Sequence, residues 1–304
     1  MKNTIYNGNI KEYERGENMY KIAILGCENS HANQFIELIK KDKKFYDVEV
    51  VGVYSDDEAA LKALADKYQL YAMKSYDEFV GQLDGVMVTA RHGNNHLKYV
   101  EPYLSSKIAV FVDKPITISI SDALSLAKQL EEYGNRFTGG SMLKFSKLIS
   151  ELKKDVKKEA YGKTIGGLVR APLSLENEYG GFYFYSQHLV EMVCEVFGRF
   201  PKSVQAVQND VNVTVIFRYD NYDITGVFTG DAWVYSATRL SVDKTYGDMI
   251  VLSDESKKEF EEFYNCLKDK GEQMDVKEFI SPVFILNAIE KSLESGKEEK
   301  ISWL

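Results

Sequence analysis

Cysteine is scarce in this chain, and its distribution excludes two common roles. Cys27, Cys194 and Cys266 are the only three in 304 residues; so odd and scattered a set builds neither a disulfide framework nor a zinc ribbon. A reducing compartment follows, and a cytoplasmic location is expected. Long apolar runs are missing too. No stretch reaches the roughly 20 residues of a membrane span, and the N-terminus lacks the apolar core of a signal peptide. Nor is there excess positive charge: 38 Lys and Arg stand against 46 Asp and Glu, a formal net charge of -8. That balance argues against a nucleic-acid or anionic-membrane surface and favours small-molecule chemistry. Internal repeats and low-complexity linkers are also lacking. Since single cores seldom grow past about 250 to 300 residues, two tightly packed domains are expected.

Residues 1–18 read as a polar tail. Met19 reads as the biological start, because Arg15-Gly16-Glu17 can be encoded by purine-rich triplets resembling a bacterial ribosome-binding site. From Tyr20 the pattern alternates between strand and helix. Apolar strands are expected at Lys21 to Leu25, Val48 to Tyr54, Gly85 to Ala90, Ile108 to Val112 and Arg136 to Gly139, with helices at Ala32 to Lys41, Glu58 to Tyr68, His96 to Leu104 and Asp122 to Tyr133. Such runs are buried on both faces, which predicts a Rossmann-type parallel sheet over residues 19–143. A flavodoxin-like sheet is the alternative. Residues 144–304 change texture: helix Lys147 to Lys158, then strands Gly167 to Leu175, Ser203 to Gln208, Val211 to Tyr219, Asp223 to Thr229 and Val234 to Val242. They predict an α/β domain with a largely antiparallel open sheet. One helix, Tyr183 to Phe197, interrupts the strands, and helices Lys257 to Lys270 and Val283 to Ser295 close the chain. The last helix is a candidate to pack back on the first domain.

Asp113-Lys114-Pro115 ends the apolar run Ile108-Ala-Val-Phe-Val. A lysine at the carboxyl end of a buried strand stands where open α/β sheets bind ligands, and the proline stops the strand. Far downstream, Leu189, Met192, Val193, Val196 and Phe197 form the core stripe of a helix ended by Gly198. His188 and Glu191 share a neighbouring stripe about one turn apart, so the carboxylate is expected to orient the ring. All four histidines fall near candidate site segments: His31 after the first strand, His92 and His96 after the third, and His188. No zinc-type spacing links them, and no metal is expected.

These residues resemble the Gfo/Idh/MocA oxidoreductases, relatives of glucose-fructose oxidoreductase and inositol dehydrogenase. Asp113-Lys114-Pro115 is similar to that family's Glu-Lys-Pro motif. His96, the helix His188-Leu-Val-Glu191 ahead of Phe197-Gly198, and the ending Ala288-Ile-Glu-Lys-Ser292-Leu-Glu-Ser-Gly296 extend the likeness over nearly the whole chain from Met19. The resemblance implies an NAD(P)-dependent dehydrogenase or reductase acting on a CH–OH group of a sugar, cyclitol or related polyol. It implies Lys114 on the reacting oxygen, His188 as general acid/base, and a homo-oligomer formed through the second sheet. Cofactor contacts are expected from Gly26, Glu28, Asn29, Ser30, His31, Ser55, Asp56, Ala90, Arg91, His96, Asp113 and Lys114, and substrate contacts from Arg91, His92, Tyr185 and Glu191.

Three positions depart from the family pattern. The loop Gly26-Cys27-Glu28-Asn29-Ser30-His31 keeps only the first glycine of G-x-G-x-x-G, placing Glu28 where backbone normally approaches the pyrophosphate. Ser55 stands where an acidic residue usually meets the ribose, with Asp56 next. Phe184 occupies the place of an aspartate one turn before the histidine, leaving Tyr183 or Tyr185 to supply a hydroxyl. Ser55-Asp56-Asp57-Glu58 offers carboxylates and no arginine, so NAD is expected over NADP. The competing readings are a catalytically silent sugar- or nucleotide-binding member of the same fold and a metal-assisted hydrolase.

Overall fold

The computed structural model describes residues 19–303, so the polar tail and the start at Met19 lie outside the described residues. The first domain carries β1 (Tyr20–Leu25), α1 (Ser30–Lys41), β2 (Val48–Tyr54), α2 (Glu58–Tyr68), β3 (Gly85–Val88), α3 (Asn94–Leu104), β4 (Ala109–Asp113), α4 (Ile120–Tyr133) and β5 (Phe137–Gly140). Its strands are parallel in the order β2-β1-β3-β4-β5. Taken alone, that order is also flavodoxin-like. The distinction lies beyond β2, where Ala72 bridges Val53 in parallel and Val53 exchanges hydrogen bonds with Tyr71 and Met73. This single bridge is a vestigial strand. Counting it turns the order into the 3-2-1-4-5-6 of a dinucleotide-binding sheet, whose direction reverses between β1 and β3.

Continuous apolar runs form these strands because both faces are covered. Ile22, Ile24, Met87 and Phe111 pack with Phe35 of α1, whereas Ala23, Leu25, Val86, Val110 and Val112 pack with Tyr99 and Tyr103 of α3 and Leu126 of α4.

The second half comprises α5 (Lys147–Lys157), β6 (Thr164–Pro172), α6 (Tyr183–Phe197), β7 (Ser203–Asn209), β8 (Asn212–Arg218), β9 (Asp223–Thr229), β10 (Ser236–Ser241), β11 (Thr245–Met249), α7 (Glu255–Leu267), α8 (Val276–Ser295) and β12 (Glu299–Lys300). Seven strands run in the order β11-β10-β6-β9-β8-β7-β12. All pairings are antiparallel except β6 with β9, so the sheet is mixed but mostly antiparallel as expected. Strict alternation explains the coverage: Val213, Val215 and Phe217 of β8 and Ile224 and Phe228 of β9 are buried toward α6 and α8, while the opposite face stays open. The edge strands β11 and β12 escaped the sequence reading because β11 is largely exposed and β12 has only two residues.

Both closing helices return to the first domain. Phe260 and Phe263 of α7 join the cluster containing Ile22, Ile24 and Phe111, completing one face of the first sheet, and α8 lies against α4. Helix α8 starts a full two turns before the expected Val283 and passes through Pro282. Proline removes an N–H donor, but the Glu278 carbonyl it deprives is satisfied by Arg199 Nη1 at 3.3 Å and Ser281 Oγ at 2.8 Å.

Arg199 also closes the domain interior electrostatically. Its Nη2 lies 3.0 Å from Glu191 and 2.9 Å from Glu195, and Glu191 and Arg199 are 3% and 8% exposed. From Glu191 the chain of bonds continues through Gln187 Nε2, whose Oε1 accepts from Ile116 N at 2.9 Å. Helix α6 is thereby tied to the turn that follows Lys114. Arg199→Leu leaves the buried Glu191 carboxylate without its cation, while Glu195 keeps Lys153, and should destabilise the fold by about 3–5 kcal/mol in urea unfolding. A loss near zero would show that this network does not hold the domains in register.

Candidate active site

The reversal between β1 and β3 opens a crevice at their carboxyl ends, and Gly26 makes the approach possible. Its φ is +104°, and a Cβ there would lie 2.1 Å from Ala90 N. No other residue fits. Glu28, at the second-glycine position, does not point loose charge into the crevice. Its carboxylate accepts from Ser55 Oγ at 2.5 Å and from Arg91 N at 3.0 Å, joining the ends of β1, β2 and β3. Asp56 is engaged as well, accepting from Tyr54 Oη at 2.6 Å and Lys98 Nζ at 3.1 Å. Burial pushes the neighbouring Cys27 thiol up to about 12, with Glu28 adding to the rise, so this cysteine is inert filler.

Asp113, wholly buried at the end of β4, gathers the next layer. It accepts from Asn29 Nδ2 at 3.0 Å and from Lys114 N at 2.7 Å, and His31 Nδ1 stands 2.8 Å away in an ion-pair contact short of hydrogen-bond alignment. Asn29 simultaneously caps α1 through His31 N, leaving Ser30 exposed at the helix start. Burial pulls the His31 pKa down, but Asp113 and Glu259 outweigh it and the net shift is upward. Direct cofactor contact by Ala90, His96 and Asp113 is corrected here. Ala90 and His96 are both 0% exposed, and the His96 nitrogens lie 2.7 Å from Ala90 O and 3.2 Å from Ile116 O. His96 therefore fastens the end of β3 to the turn after Lys114, and burial lowers its pKa.

Lys114 projects beyond a cis Lys114–Pro115 bond toward α6. Its ammonium lies 4.5 Å from the Phe184 ring centre and 5.3 Å from that of Tyr185, and it donates to Phe184 O at 3.3 Å. Tyr185 in turn meets His188 at 5.7 Å, so the lysine of the first domain and the histidine of the second flank one ring. Burial lowers the Lys114 pKa, and burial followed by the Lys114 charge holds His188 well below its usual value. The imidazole is neutral at pH 7.

Glu191 does not orient that ring. It is spent on Arg199 and Gln187, and the substrate contact expected of it is corrected too. The partner of His188 is Ser141, whose Oγ lies 2.6 Å from Nδ1. Ser141 Oγ accepts from Leu143 N and has a second lone pair for the Nδ1–H of His188, the tautomer that leaves the Nε2 lone pair open to a proton. Sequence reasoning passed over Ser141 although it follows β5 at the same carboxyl edge as the other site residues. Tyr179, Trp233 and Tyr235 were also missed: Trp233 packs on Tyr185 at 4.8 Å and Tyr235 on His188 at 5.9 Å. They sit in loops without periodicity. Of the expected substrate residues, Arg91 donates to Tyr179 Oη at 2.9 Å, and His92 Nδ1 accepts from Asn94 N.

Two observations fit a dinucleotide. The Gly26 cradle admits close backbone approach beside the N-terminus of α1, and a cavity of about 230 Å³ at the end of β2 is lined by Glu28, Ser55, Asp56, Asp57, Tyr99 and Tyr179. Carboxylates and a hydroxyl suit ribose hydroxyls. A larger groove, about 790 Å³, lies at the opposite edge near Tyr20, Asp84 and Arg136, remote from these groups. Among the described residues no cluster of His, Cys, Asp or Glu is arranged to hold a metal ion.

One buried acid has no assigned work. Neither oxygen of Glu259, on α7, has a hydrogen-bond partner among the described residues, and burial raises its pKa from 4.5 to about 8. His31 from α1, Asp113 from β4, Lys144 from the turn after β5 and Glu191 from α6 face it. A raised native pKa means that the folded chain keeps a proton the unfolded chain releases. The stabilisation is complete below pH 4.5 and lost as pH rises through about 8. Glu259→Gln should therefore gain on the parent between pH 5 and 8.5, by about 2 kcal/mol or more at the upper end. Parallel stability curves from urea unfolding would show that Glu259 is ionised in the fold.

Residues 20–141 match the family model of the Gfo/Idh/MocA oxidoreductases, described as an oxidoreductase family with an NAD-binding Rossmann fold. No curated protein matches in sequence. Among solved structures, a putative myo-inositol dehydrogenase from Sinorhizobium meliloti 1021 superposes with TM-score 0.79 at 16% identity, covering 93% of this chain and 100% of that one. GenD2 from gentamicin A biosynthesis, solved in complex with NAD, gives 0.81 at 13% identity over 97% and 100% of the two chains. Scyllo-inositol dehydrogenase from Lactobacillus casei, solved with NAD(H) and scyllo-inositol, gives 0.79 at 13% over 93% and 99%. At such identities the superpositions speak for the fold. The match identifies residues 20–141 as the NAD-binding Rossmann domain of the Gfo/Idh/MocA oxidoreductase family.

Proposed function

We propose that the protein is an NAD-dependent dehydrogenase or reductase acting on a CH–OH group of a sugar, cyclitol or related polyol. One observation carries the reading: a buried lysine and a buried neutral histidine, delivered by different domains, flank the Tyr185 ring beside the crevice. Gly26, Ser30 at the N-terminus of α1, Glu28, Ser55 and Asp56 would hold the dinucleotide, which when bound supplies or accepts the hydride. The other tasks fall to the chain. Lys114 has donors to spare for the reacting oxygen and stabilises negative charge developing there. His188 takes the hydroxyl proton or returns it, with Ser141 fixing the ring. Phe184, Tyr185 and Tyr235 keep bulk water from the reacting centre. Glu28, Asp56, Asp57 and Glu178 around the cavity would face a 2'-phosphate with like charge, which favours NAD over NADP.

The open face of the second sheet exposes Ile165, Leu168 and Leu240, in keeping with a homo-oligomer formed there. No helix of the described residues is long and apolar enough to cross a membrane. A silent polyol-binding protein is the second reading, favoured by Phe184, which meets Lys114 with a ring and a carbonyl in place of a carboxylate.

Titration with NADH and NADPH by nicotinamide fluorescence tests the cofactor, and turnover tests the rest. NADH should bind more tightly, and Lys114→Met should lower turnover by about a hundredfold with NADH affinity kept. Full activity in that variant would remove Lys114 from the chemistry. NADH binding without turnover of any polyol would favour the silent protein.

A further inference from the structure

Three of the six described arginines are neutralised, and Arg239 is spent on the Thr164 hydroxyl and the Ala160 and Gly162 carbonyls. Arg136, Arg199 and Arg218 meet carboxylates at 3.1, 3.0 and 2.7 Å. Arg91 meets none within ion-pair reach among the described residues. Its guanidinium lies 4.9 Å from the Tyr179 ring centre, and the one side-chain bond it makes is from Nη1 to Tyr179 Oη. Tyr179 packs on Phe184 at 5.0 Å, and Phe184 carries the Lys114 ammonium on its ring. Arg91 and Lys114 therefore stand at the two ends of one aromatic wall.

Both cations keep unused donors. Guanidinium has five N–H groups in a planar fork, and an ammonium has three. Their charges oppose each other, since Arg91 is among the groups that lower the Lys114 pKa. An anion arriving between them relieves that repulsion. The dinucleotide's pyrophosphate is one anion to weigh, but the Arg91 side chain turns to Tyr179 of the second domain, while the Glu28 carboxylate occupies its own backbone on the Gly26 side.

We propose that Arg91 grips the carboxylate of a sugar-acid substrate, the polyol chain lying along Tyr179 and Phe184 so that the reacting hydroxyl meets Lys114. This rests on the dehydrogenase reading and narrows its substrate class. In the oxidising direction the carbinol C–H bond breaks with hydride passing to oxidised nicotinamide. The O–H bond breaks with its proton passing to His188, and C=O forms. The carboxylate is unchanged throughout.

Trp233, 63% exposed and packed on Tyr185, allows binding to be read by tryptophan fluorescence without turnover. With NAD present, D-gluconate and D-glucuronate are titrated against D-glucose, myo-inositol and glucose 6-phosphate, and turnover is followed by NADH absorbance. The acids should bind at least about thirtyfold more tightly than the neutral compounds, the scale of a desolvated charge pair. R91Q should erase the preference while NADH affinity holds, and R91K should restore part of it because lysine keeps charge but loses the fork. Equal binding of neutral polyols overturns the proposal and leaves the dehydrogenase reading standing. So does tighter binding of the phosphate ester, or a loss of NADH affinity in R91Q, which would give the guanidinium to the cofactor. Binding of neither set also overturns it. Acid binding without turnover upholds the recognition and overturns the dehydrogenase reading instead.

Discussion

Asp113 has no water to share its charge with, so its oxygens are filled from the protein: the Asn29 amide, the His31 ring and the backbone N–H of Lys114. Removing such a carboxylate from solvent is costly unless every lone pair finds a partner. Here that requirement fixes geometry. Asn29 must cap α1 and reach Asp113 at once, which sets where the helix N-terminus opens, and the bond to Lys114 N sets where the lysine leaves the strand. Burial alone would raise the carboxyl pKa, yet His31 and Lys114 hold it below the ordinary range, so the anion persists at the centre of the cleft.

The second domain is locked to this centre by a parallel economy of charge. Arg199 neutralises Glu191 and Glu195, and Glu191 passes the constraint through Gln187 to Ile116 N, two residues beyond Lys114. Helix α6 thus has one rotation compatible with its buried charges. That rotation presents His188 beside Tyr185, facing the lysine. A hydrophobic helix face tolerates sliding by small steps; a buried ion pair with directed hydrogen bonds does not.

Strands Val48–Tyr54 and Asp223–Thr229 and helices Glu58–Tyr68 and Tyr183–Phe197 were legible to the residue, because period and capping agree there. Pattern reading failed where periodicity was absent, as in the exposed β11, or where a proline seemed to forbid a helix, as at Pro282. For the candidate site, strand-end position singled out Lys114 and Arg91, and helical spacing His188, and the fold gathers all three around the aromatic residues Tyr179, Phe184 and Tyr185. Position and spacing misjudged His96 and Glu191, since a polar side chain near a crevice reads the same whether it faces a ligand or a carbonyl. Ser141 and Tyr179 are contributed by long-range contacts of 47 and 88 residues, which no local spacing encodes.

The surroundings of His188 supply the ring with support from outside its own helix. At the position one turn before His188, Phe184 offers Lys114 only a ring face and a carbonyl, so the ring of His188 takes no support from a carboxylate on its own helix. Support comes instead from Ser141, on the segment leaving β5, whose Oγ has a lone pair for the Nδ1–H of the ring. A neutral hydroxyl orients the imidazole without raising its pKa as a carboxylate would. Burial and the Lys114 charge then outweigh the opposing pull of Asp113, and His188 stays neutral. Replacing the carboxylate with phenylalanine also leaves the wall between Lys114 and Arg91 without negative charge. Phe184 thus leaves His188 to the Ser141 hydroxyl and leaves a cation at each end of the aromatic wall.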